Sequence, residues 1–263
     1  MRCIVVGASG MLGRAVCLEL AKRGARVGGT FLLNEDAAGE IGRSVDGFVA
    51  RRLDLADAAS IERVIGEIAA ALGGADALVH CAGISSAAKE PKYDRLADVD
   101  PARLGHLLTV NVAGPLLVAR AFAAHGQGAP PADTPETRLR TLRASRSASV
   151  GADSKNLVLV GSIDGAKPVP TATPYATTKG ALVAMARALA KELGPRILVN
   201  VVAPGVLENG ITAVVPDDVK REYLKHCSMK RFGTHAEIAR SIAWLALENT
   251  YVTGQTLIAD GGL

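Results

Sequence analysis

The sequence is poor in aromatic side chains. Phe, Trp and Tyr make up 3% of its 263 residues, so a core must be built mainly from Ala, Val, Leu and Ile. Cysteine is scarce as well. Cys3, Cys17, Cys81 and Cys227 show neither a C-x-x-C pair nor a zinc spacing, which argues against a zinc module and for free, buried thiols in a reducing cytoplasm. His80, His106, His125, His226 and His235 lack ligand spacing such as H-x-x-x-H, and no metal site is expected. Charge of one sign is missing too: 30 Lys and Arg against 26 Asp and Glu leave +4, scattered along the chain, too little for a nucleic-acid partner. No apolar run approaches the roughly eighteen residues that span a bilayer. The start, "MRCIVVGASGMLG", reads as a first strand broken by glycine rather than as a secretory signal. A soluble, cytoplasmic protein with no membrane partner is expected.

What the chain has is 49% hydrophobic residues in a repeating arrangement. Short β-branched runs, "CIVVG" (3–7), "ARVGGT" (25–30), "GFVARRLD" (47–54), "ALVHCAG" (77–83), "NLVLVGS" (156–162), "ILVNVVAPG" (197–205) and "QTLIADGG" (255–262), alternate with alanine-rich segments. Segments 11–23, 57–72, 101–125, 174–193 and 235–247 carry apolar residues at helical spacing. Repeated β-α-β predicts an α/β fold: a doubly wound parallel sheet of about seven strands with helices on both faces. No composition shift divides the chain, so residues 1–263 read as a single domain. The exception is an irregular insertion at about 126–155, rich in Gly, Pro, Ser and Arg.

Gly7, Gly10 and Gly13 follow the first strand and open a helix with G-x-x-G-x-x-G spacing. Glycines there permit a tight turn and close approach of the backbone to a pyrophosphate, which the helix N-terminus attracts. A nucleotide site is expected. The second strand ends near Thr30, and the first carboxylates, Glu35 and Asp36, come several residues later. Without a carboxylate to repel a 2′-phosphate, NADP(H) is favoured over NAD(H), although no arginine stands obviously ready to receive it.

Tyr175 and Lys179 are four apart near the start of a helix, so they share a face. Ser162 ends the fifth strand, thirteen residues before Tyr175, and Asn111 lies in the helix after the fourth strand. In a doubly wound sheet the strand C-termini converge on one crevice, where these four side chains can meet.

With these features in order, the sequence resembles the short-chain dehydrogenase/reductase family over nearly its whole length, and within it the β-ketoacyl-thioester reductases. The resemblance is carried by the glycine turn, "LDL" with Asp54, "HCAG" at 80–83, Asn111, Ser162, Tyr175, Lys179, "APG" at 203–205 and the ending "TGQTLIADGGL". It implies a Rossmann fold in which Tyr175 protonates the carbonyl oxygen while Lys179 lowers the phenol pKa from about 10 and holds the nicotinamide ribose. Ser162 would hydrogen-bond the substrate oxygen, and Asn111 would fix a water that links Lys179 to solvent. The implied cofactor contacts are Gly7, Ser9, Gly10, Met11, Leu12, Gly13, Thr30, Asp54, Leu55, Cys81, Ala82, Gly83, Tyr175, Lys179, Pro204, Gly205 and Val206.

The chain departs from the family pattern at Val6, where a threonine is usual, in the spacing of the middle glycine, at Cys81, where an asparagine is usual, and at Asn209 after "APG". Cys81 is expected to be a packed thiol, not a nucleophile. Arg138, Arg140, Arg143 and Arg146 recur in the insertion; the plain expectation is a solvated loop, the sharper one a landing site for an anionic carrier. Residues 206–230 are the candidate lid. The expected activity is NADP(H)-dependent reduction of a small-molecule or carrier-bound ketone, such as a 3-oxoacyl thioester, by a homo-oligomer (tetramer or dimer). The alternatives are NAD-dependent oxidation of an alcohol, sugar or steroid, and a non-catalytic nucleotide sensor.

Overall fold

The computed structural model describes residues 1–85, 99–125, 154–168, 173–209 and 217–263. The β-branched runs become strands β1 (Arg2–Val6), β2 (Arg26–Phe31), β3 (Val49–Arg52), β4 (Ala77–His80), β5 (Lys155–Val160), β6 (Ile197–Pro204) and β7 (Thr256–Ala259). They form one parallel sheet in the order β3-β2-β1-β4-β5-β6-β7. The order reverses between β1 and β4, which opens a crevice beyond the C-terminal ends of these strands.

Among the described residues the helices are α1 (Met11–Lys22), α2 (Glu35–Ser44), α3 (Ala58–Leu72), α4 (Pro101–Leu108), α5 (Gly114–Ala124), α6 (Ile163–Ala166), α7 (Thr173–Leu193), α8 (Asp217–His226) and α9 (His235–Leu247). Alternate residues of each strand face opposite sides of the sheet, and each side has its own core. Ile4, Leu78, Leu157 and Val199 pack with Ile65 of α3, Phe122 of α5 and Leu182 of α7. Val5, Val79, Val158 and Val202 pack with Leu20 of α1, Ile41 of α2 and Ile242 of α9. Each such side chain contributes about 1.5–3 kcal/mol through burial.

Local chemistry sets the helix starts. Asn34 caps α2 by accepting from the Ala37 N–H at 3.0 Å, and Asp57 caps α3 by accepting from Ala59 and Ser60. Thr234 and Glu237 form a reciprocal capping box on α9. Helix α2 was not among the segments picked out by helical spacing. Its run "EDAAGEIGRS" buries only Ala38 and Ile41, and its cap and acidic first turn mark it better than its apolar pattern does.

The single helix expected over 101–125 is broken. A π-helical turn, Thr109–Ala113, separates α4 from α5. Pro115 has no N–H, so the Asn111 carbonyl loses its α-helical partner four residues on, and the backbone widens there. By length and composition Pro101–Ala124 is apolar enough to cross a bilayer, which corrects the reading that no segment is. Half of it is buried in the fold, as in a core helix.

Of the expected insertion, only Ser154 and Lys155 lie among the described residues, and Lys155 already belongs to β5. Arg138, Arg140, Arg143 and Arg146 fall outside them. The candidate lid 206–230 is described at 206–209 and from 217 onward, where it contains α8. Tyr223 of α8 accepts from the Val206 N–H and donates to the Asp260 carbonyl, each at 3.2 Å, which ties α8 to the ends of β6 and β7.

Candidate active site

The glycine turn at the end of β1 is built from close approaches. Gly7 has φ +82°, a left-handed conformation that suits glycine, and a Cβ there would lie 2.8 Å from the Ala82 backbone. At Gly13 a Cβ would lie 2.1 Å from the Gly7 carbonyl oxygen. Gly10 precedes α1 and makes no side-chain cap, so the first N–H groups of α1 lack a side-chain acceptor. Ser9 is half-buried beside them, while Met11 is exposed and Leu12 packs against the core. This cradle fits a pyrophosphate.

Thr30, an expected cofactor contact, braces this turn. Its hydroxyl accepts from the Gly7 N–H at 3.0 Å and its carbonyl from the Ala8 N–H at 2.8 Å, and the residue is buried. Asp54 makes an Asx turn by accepting from the Ala56 N–H. Leu55 is packed against Gly114 in the core, so its side chain faces away from solvent. Cys81 and Ala82 both donate their N–H groups to the Val6 carbonyl, joining the ends of β1 and β4 at the crevice. On its far wall, the Gly205 N–H donates to the Ala259 carbonyl, following Pro204 at the end of β6, and Val206 is held by Tyr223.

Four polar side chains converge beyond β4 and β5. Asn111, 1% exposed, accepts from the Ile84 N–H at 2.9 Å and donates to the Ile84 carbonyl at 2.8 Å and to Thr178 Oγ1 at 3.1 Å. A Cβ on Gly83 would stand 3.2 Å from Asn111 Oδ1 and 3.3 Å from Lys179 Nζ, so both side chains abut the same glycine. Lys179 is buried, donates to the Val160 carbonyl at 3.1 Å, and lies 5.6 Å from the centre of the Tyr175 ring. Ser162 caps α6 by accepting from the Asp164 N–H at 3.2 Å and lies beside the Tyr175 hydroxyl.

The electrostatics differ from expectation at one point. Burial lowers the Lys179 ammonium to about 8, so it is still mostly charged at neutral pH and loses its proton just above it. The Tyr175 phenol is not depressed. Burial, and after it the Asp164 carboxylate, push it up to about 12, opposed by the Ser162 hydrogen bond. Burial also raises the Cys81 thiol to about 12, which keeps it neutral and fits a packed thiol rather than a nucleophile.

Two residues near these groups were not singled out as site residues. His80 is 1% exposed, its Nε2 has no partner, and burial followed by the charge of Lys179 lowers it to about 3. Asp164 sits two residues beyond Ser162, with its Oδ2 3.4 Å from Ser162 Oγ. No motif marks Asp164; only the fold of α6 against α7 brings it to this place.

Residues 2–129 match the family described as short chain dehydrogenase, and residues 140–263 match the family described as enoyl-(acyl carrier protein) reductase. The chain belongs to the short-chain dehydrogenase/reductase family, and it is an oxidoreductase. Among curated relatives of this short-chain dehydrogenase, the human 3-oxoacyl-(acyl-carrier-protein) reductase is 31% identical, over 99% of this chain and 97% of its own. The Escherichia coli 3-oxoacyl-(acyl-carrier-protein) reductase is 30% identical, over 99% and 96%. Among solved structures, the short-chain dehydrogenase/reductase from Serratia marcescens superposes with a TM-score of 0.80 at 26% identity, covering 99% of this chain and 96% of its own. A blue fluorescent protein from a metagenomic library, in complex with NADPH, gives 0.80 at 27% identity with the same coverage.

Proposed function

We propose that this short-chain dehydrogenase reduces a ketone, a 3-oxoacyl thioester or a close analogue, with NADPH as the preferred reductant. The observation that carries the reading is the convergence of Asn111, Ser162, Tyr175 and Lys179 beside the glycine turn, with Asn111 and Lys179 against one glycine and Lys179 Nζ 5.6 Å from the centre of the Tyr175 ring. The names of the curated relatives support the substrate class, and the NADPH complex of the blue fluorescent protein supports the cofactor.

The residues present fit a nicotinamide dinucleotide. The pyrophosphate would rest on Gly7, Ser9, Gly10 and the start of α1, where a Cβ on Gly7 or Gly13 would close the cradle. Asp54 would hold the adenosine end, and Cys81, Ala82, Gly83, Pro204, Gly205 and Val206 would frame the nicotinamide end. When bound, the dinucleotide supplies the hydride. Ser162 then donates a hydrogen bond to the ketone oxygen as negative charge grows on it. Tyr175, a phenol at neutral pH, gives that oxygen its proton. Lys179 orients the ribose, and Asn111 holds the Ile84 loop and Thr178 in place behind it. The same reading includes a homo-oligomer, supported by Leu108 and Leu116 exposed on α4 and α5 and by Trp244, Leu257 and Ile258 exposed on α9 and β7.

The test is the rate of NADPH and of NADH oxidation against a panel of ketones that includes acetoacetyl thioesters. Turnover of the thioester with a clear preference for NADPH is expected. Failure to turn over any ketone with either cofactor removes the reading, and a preference for NADH removes its cofactor assignment.

A further inference from the structure

Asp164 is a half-buried acid in a place where the reaction described above assigns no acid. It is the second residue of α6, and two contacts join it to Ser162: its N–H donates to Ser162 Oγ at 3.2 Å, and its Oδ2 lies 3.4 Å from the same oxygen. Helix α6 is pressed against α7 at the reacting turn. A Cβ on Gly165 would come 2.5 Å from the Lys179 carbonyl carbon, so Asp164 cannot retreat without moving the helix that carries Tyr175 and Lys179.

The hydroxyl of Ser162 has one proton. With the Asp164 N–H donating into Ser162 Oγ, the Ser162 proton points at Asp164 Oδ2 until a ketone oxygen draws it away. Ser162 thereby links Asp164 to the Tyr175 hydroxyl beside it. We infer that Asp164 is a positioning residue of this site, which orients the Ser162 hydroxyl and sets a negative charge beside Tyr175 that favours its proton-donating form. This rests on the ketone-reductase reading and deepens it, because it names what fixes the pH at which the site passes from proton donor to proton acceptor.

Among the described residues, the other charged and titratable groups around Tyr175 do not supply that bias. From α7, Lys179 carries the opposite charge and favours the phenolate. From the end of β4, Cys81 and His80 are both neutral. On the β7 side, Asp260 is paired with Lys167 at 3.2 Å. Asp164 is itself raised by burial and lowered by Ser162, and as a carboxylate it opposes a second negative charge on the phenol.

The experiment compares wild type, Asp164→Asn and Asp164→Glu. The first readout is the pH profile of alcohol oxidation by the holoenzyme; the second is phenolate absorbance during alkaline titration, with Tyr175→Phe subtracted. The asparagine keeps the size and the hydrogen bond to Ser162 but removes the charge. Both the oxidation midpoint and the Tyr175 titration are expected to fall by about one pH unit, and Asp164→Glu to return them toward wild type. Circular dichroism melting separates a folded variant from an unfolded one. If Asp164→Asn is folded and its Tyr175 titrates with wild type, the inference is overturned. The absorbance titration needs no substrate, so it decides on Asp164 even if no ketone or alcohol is turned over, an outcome that counts against the functional reading alone.

Discussion

Helices α1 and α9 lie side by side on one face of the sheet and begin in opposite ways. At α9, Thr234 and Glu237 satisfy each other's backbone N–H groups, and Arg231 holds Glu237 with two further bonds of 2.9 and 2.6 Å. At α1 the capping position is Gly10, which brings no side chain at all. The two helices bury similar apolar residues, so the difference is not one of packing. One helix start is closed by its own sequence because it serves only stability. The other forgoes a few tenths of a kcal/mol of capping and leaves N–H groups and a positive dipole end open to an anion.

Closing the open end is the strongest way to break the contrast. Gly10→Asp places a carboxylate where the pyrophosphate is proposed to sit, and a Cβ there meets only the Gly7 carbonyl oxygen at 3.4 Å, an ordinary contact. Helix α1 is expected to gain about 0.5 kcal/mol in denaturant unfolding, while NADPH affinity, followed by fluorescence titration, drops about tenfold or more. A variant that binds NADPH as tightly as wild type would make the bare start of α1 incidental.

Opening the closed end has a smaller effect, and only on stability. Thr234→Ala is expected to cost about 1 kcal/mol in urea unfolding and to leave turnover unchanged. A loss of turnover without a loss of stability would put α9 in the site. The same box has a pH signature. Arg231 first, then Thr234, hold the Glu237 carboxyl down to about 2. A carboxyl depressed on folding contributes stability above its ordinary value of 4.5 and loses it as pH falls toward about 2. Acid unfolding of Thr234→Ala should therefore depend less steeply on pH in that window than that of wild type.

The contrast also shows what can be read without coordinates. The seven strands were legible because β-branched runs such as "NLVLVGS" recur between helical segments as in a parallel sheet, and Gly7 and Gly13 marked the turn because bulkier residues would close it. Asn111, Ser162, Tyr175 and Lys179 were reached through the family resemblance and the expected crevice, and the structure does bring them together. What was hidden depends on burial and on long-range packing. The upward shift of Tyr175 comes from being enclosed with Asp164 nearby, whereas the spacing Tyr-x-x-x-Lys speaks only of an attractive partner. The π turn at Asn111 follows from Pro115, a residue four positions away whose missing N–H matters only once the helix has formed.

The account depends most on Tyr175 being the proton donor of a cradle that holds its cofactor by other means. Tyr175→Phe removes one hydroxyl and leaves the ring, so NADPH binding is expected within about twofold of wild type while ketone reduction falls by roughly a thousandfold or more. A phenylalanine variant that reduces the ketone at close to the wild-type rate would contradict it.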